Sequence, residues 1–238
     1  MLSKEPIYFK VDGSSNGVIE IKFENTSQKG IVEFTKKGQI PKEVKIKETQ
    51  YGDLHEIIYE YNPLSDVTYD ILAAEDIITR DGTVHHKKGD LIETLTTDEN
   101  GIWNSSELYL GKYQAIEKSA PNGYVVSSVP INFELSYSGQ LVELTKTSIT
   151  ENNDFQSLLV NVFKNEEQIE GWRNNEPIIK EIAGSNKVFG IFNRETQYIA
   201  GNTQIPNDSM MGIKSVENGV ATFNTKLPEG KYYLKEID

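Results

Sequence analysis

The 238-residue chain contains no cysteine. That absence excludes disulfides, thiolate-ligated zinc and cysteine nucleophiles. An extracellular protein without disulfides must draw its stability from something else. Positive charge is also scarce: 24 Lys and Arg stand against 36 Asp and Glu, a formal net charge of −12. Nucleic acid needs a basic footprint, and so does an anionic membrane surface; neither partner is expected here. The acidic balance favours solubility and names no partner of its own. No apolar run approaches the roughly 20 residues of a spanning helix. The N-terminus lacks the charged-then-apolar order of an export signal, so the sequence reads either as processed or as an internal segment. No Gly-rich phosphate loop and no Gly-x-Ser-x-Gly elbow occurs, and nothing implies a cofactor.

What is present is alternation. Ile7, Phe9 and Val11 alternate with polar residues, as do Ile19, Ile21 and Phe23. Between them Asp12-Gly13-Ser14-Ser15-Asn16-Gly17 has the composition of a hairpin turn. Further strands read at residues 31–35, 44–47, 57–61, 67–73, 91–96, 112–117, 131–137, 141–145 and 158–164. Later ones read at 187–192, 219–223 and 231–236. Residues 73–77 have the makings of one short helical turn, and no long helix is expected. Many short strands between turn signals predict an all-β sandwich.

The sequence also repeats itself. Pro6-Ile7-Tyr8-Phe9-Lys10-Val11 resembles Pro130-Ile131-Asn132-Phe133-Glu134-Leu135. Each leads through a second strand to an asparagine, and a lysine follows eleven residues later: Asn25 and Lys36, then Asn153 and Lys164. Leu110-Gly111-Lys112-Tyr113 is echoed by Glu229-Gly230-Lys231-Tyr232, with Glu117 and Glu236 each six residues past the glycine. Glu99-Asn100-Gly101 recurs as Glu217-Asn218-Gly219. These repeats organise the chain into residues 1–27, the last hairpin of a preceding module; 28–155, a complete module; and 156–238, a second module without its final strands.

Tyr69-Asp70-Ile71-Leu72-Ala73-Ala74-Glu75-Asp76-Ile77, Asp81-Gly82-Thr83, Lys87-Lys88-Gly89 and Thr96-Thr97-Asp98-Glu99-Asn100-Gly101 occur in that order. Leu110-Gly111-Lys112-Tyr113, Glu117 and Ala120-Pro121-Asn122-Gly123-Tyr124 follow. The series resembles the prealbumin-like modules of SpaA-type pilins and the Cna B-type repeats of collagen-binding adhesins. The resemblance covers residues 31–153 well and 158–236 more loosely. It implies tandem immunoglobulin-like β-sandwich modules in the stalk or shaft of a Gram-positive cell-wall surface protein, outside the cell. It also implies an intramolecular isopeptide bond, with Lys36 on the first strand, Asn153 on the last and Glu117 between them. Lys164 and Glu236 match in the second module, and Asn25 matches the acceptor of the preceding one. Three departures stand out. The stretch from Lys36 to Pro63 is long enough for an inserted hairpin. Pro63-Leu64-Ser65-Asp66 replaces the usual Pro-Leu-x-Gly. The second module has no Ala-Ala-Glu-Asp segment. Lys37 and Asn152 are adjacent alternatives, but neighbouring side chains on a strand face opposite ways, so only one of each pair points inward.

The chemistry such residues can do depends on burial. A buried lysine loses proton affinity and a buried carboxylic acid gains it, so amine and acid can coexist neutral as a coupled pair. The amine then attacks the asparagine carboxamide carbon while the glutamic acid relays protons and ammonia leaves. Fixing the reactants in contact is worth roughly 7–11 kcal/mol of barrier. Phe34 and Tyr113 are the expected aromatic cover. The reaction runs once per molecule, so the chain is not a turnover enzyme. Closing so long a loop restricts the unfolded chain, worth about 3–5 kcal/mol by analogy with disulfides. The expected partners are neighbouring modules of the same protein. Strand exchange between chains follows from the truncated pattern at the two ends, with Asn25 completing a site at Lys164 and Glu236. The alternative function is adhesion, with a host matrix protein or glycan bound by this segment itself. His85 and His86 read as an exposed hairpin and not as metal ligands, for want of further donors. Asp98-Glu99-Asn100-Gly101 reads as a turn and not a calcium loop. Trp103 and Trp172 read as packing residues.

Overall fold

The computed structural model describes residues 5–11, 18–22, 25–199 and 203–238. Among these residues the regular structure is all β, with no helix. The first half holds β1 (Lys29–Thr49), β2 (Gly52–Pro63), β3 (Thr68–Ala73), β4 (Ile77–Ile78), β5 (Val84–His86) and β6 (Leu91–Thr96). It continues through β7 (Ile102–Asn104), β8 (Leu108–Tyr109), β9 (Gly111–Ser119), β10 (Ile131–Leu135) and β11 (Leu144–Asn153). The second holds β12 (Leu158–Phe163), β13 (Asn165–Arg173), β14 (Glu176–Ala183), β15 (Val188–Asn193) and β16 (Gln197–Ile199). It ends with β17 (Thr203–Ile205), β18 (Met210–Ser215), β19 (Val220–Thr225) and β20 (Tyr232–Glu236). The chain forms two compact units. One comprises residues 1–37, 63–122 and 126–153; the other comprises 38–62, 123–125 and 154–238.

In the first unit, β1 pairs with β11 and, antiparallel, with β7 and β8, while β10, β9, β3 and β6 make a second sheet in that order. The inner faces follow from period-two alternation. Along β1 the buried positions are Gly30, Val32, Phe34, Lys36 and Gly38, with half-buried residues between them. On β3 they are Tyr69, Ile71 and Ala73, and on β9 Tyr113, Ala115 and Glu117. The sheets meet through aromatics: Phe34 lies 4.7 Å from Tyr69 and stacks on Trp103 at 4.8 Å. Each such side chain removed from water contributes about 1.5–3 kcal/mol.

The second unit places β2, β18, β15 and β20 side by side and pairs β12 with β19. Its core is Ile191, Ile199, Ile205, Met211, Val216, Ala221 and Phe223. Val44 and Ile57, from the hairpin that follows Lys36, pack against this core. The insertion expected between Lys36 and Pro63 is thus a hairpin, and it belongs to the second unit.

The second half carries the same device, which the sequence reading missed. Lys36 N donates to Gly101 O at 2.7 Å, and Lys164 N donates to Gly219 O at 2.8 Å. Leu64 N donates to Lys36 O at 3.0 Å, and Gly184 N donates to Lys164 O at 2.8 Å. In both halves the chain leaves the lysine, makes a hairpin and returns to that lysine's carbonyl. In the second half the hairpin is β13–β14.

Other expectations are corrected. Residues 5–11 and 18–22 lie in no strand despite their alternation, and Ile7, Phe9, Val11 and Ile19 are exposed. Alternation assigns side chains to faces but supplies no partner strand. The turn expected at residues 12–17 and the strand end at Phe23 lie outside the described residues. Ala74 and Glu75 form a bend and not a helical turn. The strand expected from Leu141 begins at Leu144 and runs on to Asn153. Trp103 is core, whereas Trp172 is 66 % exposed on β13.

Candidate functional site

The alternation that buries Phe34 also buries Lys36, two residues further along the same face. Its ammonium has nowhere to reach but the interior, where β9 presents Glu117. Lys36 Nζ lies 3.2 Å from Glu117 Oε2, and the two side chains are 2 % and 1 % exposed. Asn153, the last residue of β11 and buried on the same side, donates from Nδ2 to Glu117 Oε1. One carboxylate therefore holds the amine with one oxygen and the carboxamide with the other. Lys37 is half-buried and Asn152 exposed, so the adjacent alternatives point away.

Two further donors fix the carboxylate. Ser127 N donates to Glu117 Oε2 at 3.3 Å, and the Tyr69 hydroxyl donates to the same oxygen at 3.5 Å. Tyr69 sits directly across from Glu117 in the β3–β9 register, and its ring centroid lies 5.5 Å from Lys36 Nζ. Burial lowers the Lys36 pKa, with Glu117 opposing part of the effect. Burial also raises the Tyr69 pKa, and Glu117 adds to it, so the phenol stays a donor. The aromatic cover is Phe34, Tyr69 and Trp103. Tyr113, expected in that role, instead stacks on Phe133 at 5.5 Å and donates its hydroxyl to Tyr109 O at 2.6 Å. Tyr69 was missed because cross-strand register is not visible in sequence.

In the second unit Lys164 Nζ and Glu236 Oε2 are 2.9 Å apart, with side chains 27 % and 37 % exposed. Glu236 faces Phe189 in the β15–β20 register, so no phenol stands where Tyr69 does. Val162 and Ala221 pair where Phe34 and Trp103 pair in the first unit. Asn25 is exposed and lies in no strand. The glutamate of the Ala-Ala-Glu-Asp segment does have a counterpart. Glu75 Oε1 accepts from Lys112 N at 3.1 Å, and Glu195 Oε1 accepts from Lys231 N at 3.3 Å. His85 stacks on Tyr109 with ring centroids 3.6 Å apart. No metal-ligating cluster occurs among the described residues. Asp98 Oδ1 accepts from Asn100 N and Ile102 N, which makes its segment a turn.

The family model of the SpaA prealbumin-like fold domain matches residues 59–150. This stretch is a SpaA-type, prealbumin-like domain. The SpaA-type stretch contains Tyr69 and Glu117; Lys36 and Asn153 flank it. No curated protein matches the chain. Among solved structures, a minor pilin of Streptococcus agalactiae is 17% identical, over 55% of this chain and 46% of its own, with a TM-score of 0.34. The Bacillus anthracis TIE protein is 22% identical, over 88% and 28%, with a TM-score of 0.39. The major pilin subunit BcpA of Bacillus cereus is 13% identical, over 88% of both chains, with a TM-score of 0.32. The chain spans less than half the length of the first two.

Proposed function

We propose that the chain is a self-cross-linking structural segment, a stalk or shaft piece of a Gram-positive surface protein. Its Lys36 and Asn153 join through an isopeptide bond promoted by Glu117. The observation that carries this reading is Glu117 placed between Nζ and Nδ2 in a site closed to water. Passing a proton from Nζ to Oε2 leaves a neutral amine and a neutral acid. The amine attacks Asn153 Cγ, the new Cγ–Nζ bond forms, and the Cγ–Nδ2 bond breaks. Glu117 delivers its proton to the departing nitrogen, which leaves as ammonia, and takes up the proton that the attacking nitrogen sheds on becoming an amide, so the carboxyl is again the neutral acid. Tyr69 and Ser127 hold the carboxyl in place throughout. The glutamate emerges unchanged and the lysine does not, so the event is maturation. The bond ties β1 to β11, the first and last strands of the unit. Such a tie suits a cell-surface protein that has no disulfides and carries load between neighbouring modules.

The intact mass under denaturing conditions tests this. One ammonia is expected to be missing from the wild type and present in Glu117→Ala; an unmodified wild-type mass would overturn the reading. A second reading, adhesion to a host matrix protein or glycan, rests on the open apolar face of β13–β14. There Ile169 is 55 %, Trp172 66 % and Ile179 52 % exposed. Loss of matrix binding on Trp172→Ala would favour it.

A further inference from the structure

An asparagine followed by glycine is a step at which a polypeptide readily attacks itself, because glycine has no side chain to hinder the approach of its own nitrogen. The sequence holds four such steps: Asn16-Gly17, Asn100-Gly101, Asn122-Gly123 and Asn218-Gly219. The first lies outside the described residues. The other three differ in what the fold does with the glycine nitrogen. Gly101 is buried, and its N donates to Asp98 O at 2.9 Å. Gly219 is buried, and its N donates to Gly184 O at 2.9 Å. In both the attacking nitrogen is committed to an acceptor. Asn122-Gly123 is exposed at both residues. Among the described residues neither Gly123 N nor the Asn122 carboxamide has a hydrogen-bond partner.

The residues after that step fasten one piece of chain to another. Gly123 O accepts from Gln156 N at 2.8 Å, Val125 N donates to Asp154 O at 3.1 Å, and Tyr124 bridges to Phe155. The Phe155 ring stacks on Tyr124 at 4.8 Å and lies over Gly123. Residues 123–125 are thereby held to residues 154–156, which directly follow Asn153. We infer that Asn122 is a self-modification site, and that its conversion to isoaspartate releases residues 123–125 from residues 154–156.

The reaction needs only water. Gly123 N attacks Asn122 Cγ and gives up its proton; the Cγ–Nδ2 bond breaks, and Nδ2 takes a proton and leaves as ammonia. The two reacting atoms belong to adjacent residues, so closing the five-membered ring needs no encounter. Water then opens the ring. Addition at Cγ gives aspartate on the original backbone. Addition at the Asn122 carbonyl carbon gives isoaspartate, whose main chain runs through Cβ and Cγ. Nothing is oxidised or reduced. The isoaspartate lengthens the main chain by one carbon, a bond of about 1.5 Å, immediately before Gly123. A hydrogen bond holds its length to within a few tenths of an ångström, so that insertion offsets Gly123 O from Gln156 N and Val125 N from Asp154 O. The ring intermediate has lost one ammonia, as the Lys36–Asn153 bond would, but water reopens it.

The test holds the folded 238-residue protein at mildly alkaline pH, digests samples with trypsin and weighs the peptides over time. Asn122 falls in residues 119–146, Asn100 in 89–112 and Asn218 in 215–226. The expected result is a gain of one mass unit in 119–146, with isoaspartate placed at residue 122 by fragmentation, while the other two peptides keep their mass. In guanidinium, where Gly101 N and Gly219 N lose their acceptors, all three are expected to gain at similar rates. Asn122→Gln is expected to stop the gain in 119–146, since glutamine must close a larger ring. Modified protein, separated by anion exchange on its extra charge, is expected to exchange the Val125 and Gln156 amide hydrogens at least about tenfold faster. A folded protein whose 119–146 peptide keeps its mass, or whose 89–112 or 215–226 peptide gains as fast, would overturn the site. Unchanged exchange at Val125 and Gln156 in the modified protein would overturn the release. Lys36 and Asn153 lie outside all three peptides, so these readouts stand apart from the cross-link.

Discussion

Glu117 is asked to do two things at once, and substitutions can separate them. Glu117→Gln keeps the shape and can still contact both partners, but it cannot carry a proton between them; the full unmodified mass is expected. Tyr69→Phe keeps the ring over Lys36 and loses only a long hydrogen bond at 3.5 Å. That contact is weaker than the roughly 1.5–3 kcal/mol of a good bond to a charged group. Bond formation is expected to slow by no more than about tenfold and still reach completion, as followed by mass against time. Lysine titration gives a third handle. In Asn153→Ala no bond forms, so Lys36 keeps an amine whose pKa burial holds below its ordinary value of 10.5. Between the folded and unfolded pKa values the unfolded chain binds more protons, so stability rises with pH. The Lys36 contribution is fully present above 10.5 and lost as pH falls to the folded value. In a wild type cross-linked as proposed that nitrogen would be an amide, and the dependence is expected to vanish. Denaturant midpoints across alkaline pH decide it. Lys36, Glu117 and Asn153 could be singled out in sequence through the resemblance to SpaA-type modules, and alternation narrows each of the pairs Lys36/Lys37 and Asn152/Asn153 to one inward-facing residue; the structure brings the three side chains together. Tyr69 could not, because its place depends on how β3 registers with β9.

At the scale of the element, one glycine governs how closely β1 is approached. Gly101 has φ +70°, and a Cβ there would press on Lys36 O and lie 2.8 Å from Leu64 N. Those atoms make the hydrogen bonds that hold Lys36 on its strand. Gly101→Ala is expected to cost about 1–3 kcal/mol from the backbone conformation alone, seen as a lower Tm, and to leave the cross-link incomplete. Gly219 stands at the same place beside Lys164, with φ +82°. The hairpin after Lys36 was legible because a long stretch separated two motifs. The hairpin after Lys164 was not. Its alternation is broken by a register shift between Ile169 and Gly171, and Glu166, Glu167 and Glu170 dilute the apolar signal. The N-terminal segments show the opposite failure, a clear alternation over residues 5–11 and 18–22, which lie in no strand.

For the whole molecule, the proposed cross-link would decide what a pulling force can do. With Lys36 and Asn153 joined, tension entering through β1 and leaving through β11 would pass across that bond, and residues 37–152 would carry none of it. Single-molecule stretching is expected to show no length gain from this unit in the wild type. In Glu117→Ala the same stretch is expected to pay out roughly 400 Å, at about 3.4 Å per residue. The variant is also expected to lose about 3–5 kcal/mol of stability, by analogy with a disulfide closing a long loop.

The exposed turn around Arg80, where Gly82 N donates to Thr79 O at 2.8 Å, lies inside that closed ring. A protease that cuts after Arg80 divides the backbone into a piece bearing Lys36 and a piece bearing Asn153. With the isopeptide bond in place the two remain one covalent molecule after boiling in detergent, and without it they separate. A chain closed by such a bond would be nicked without being severed.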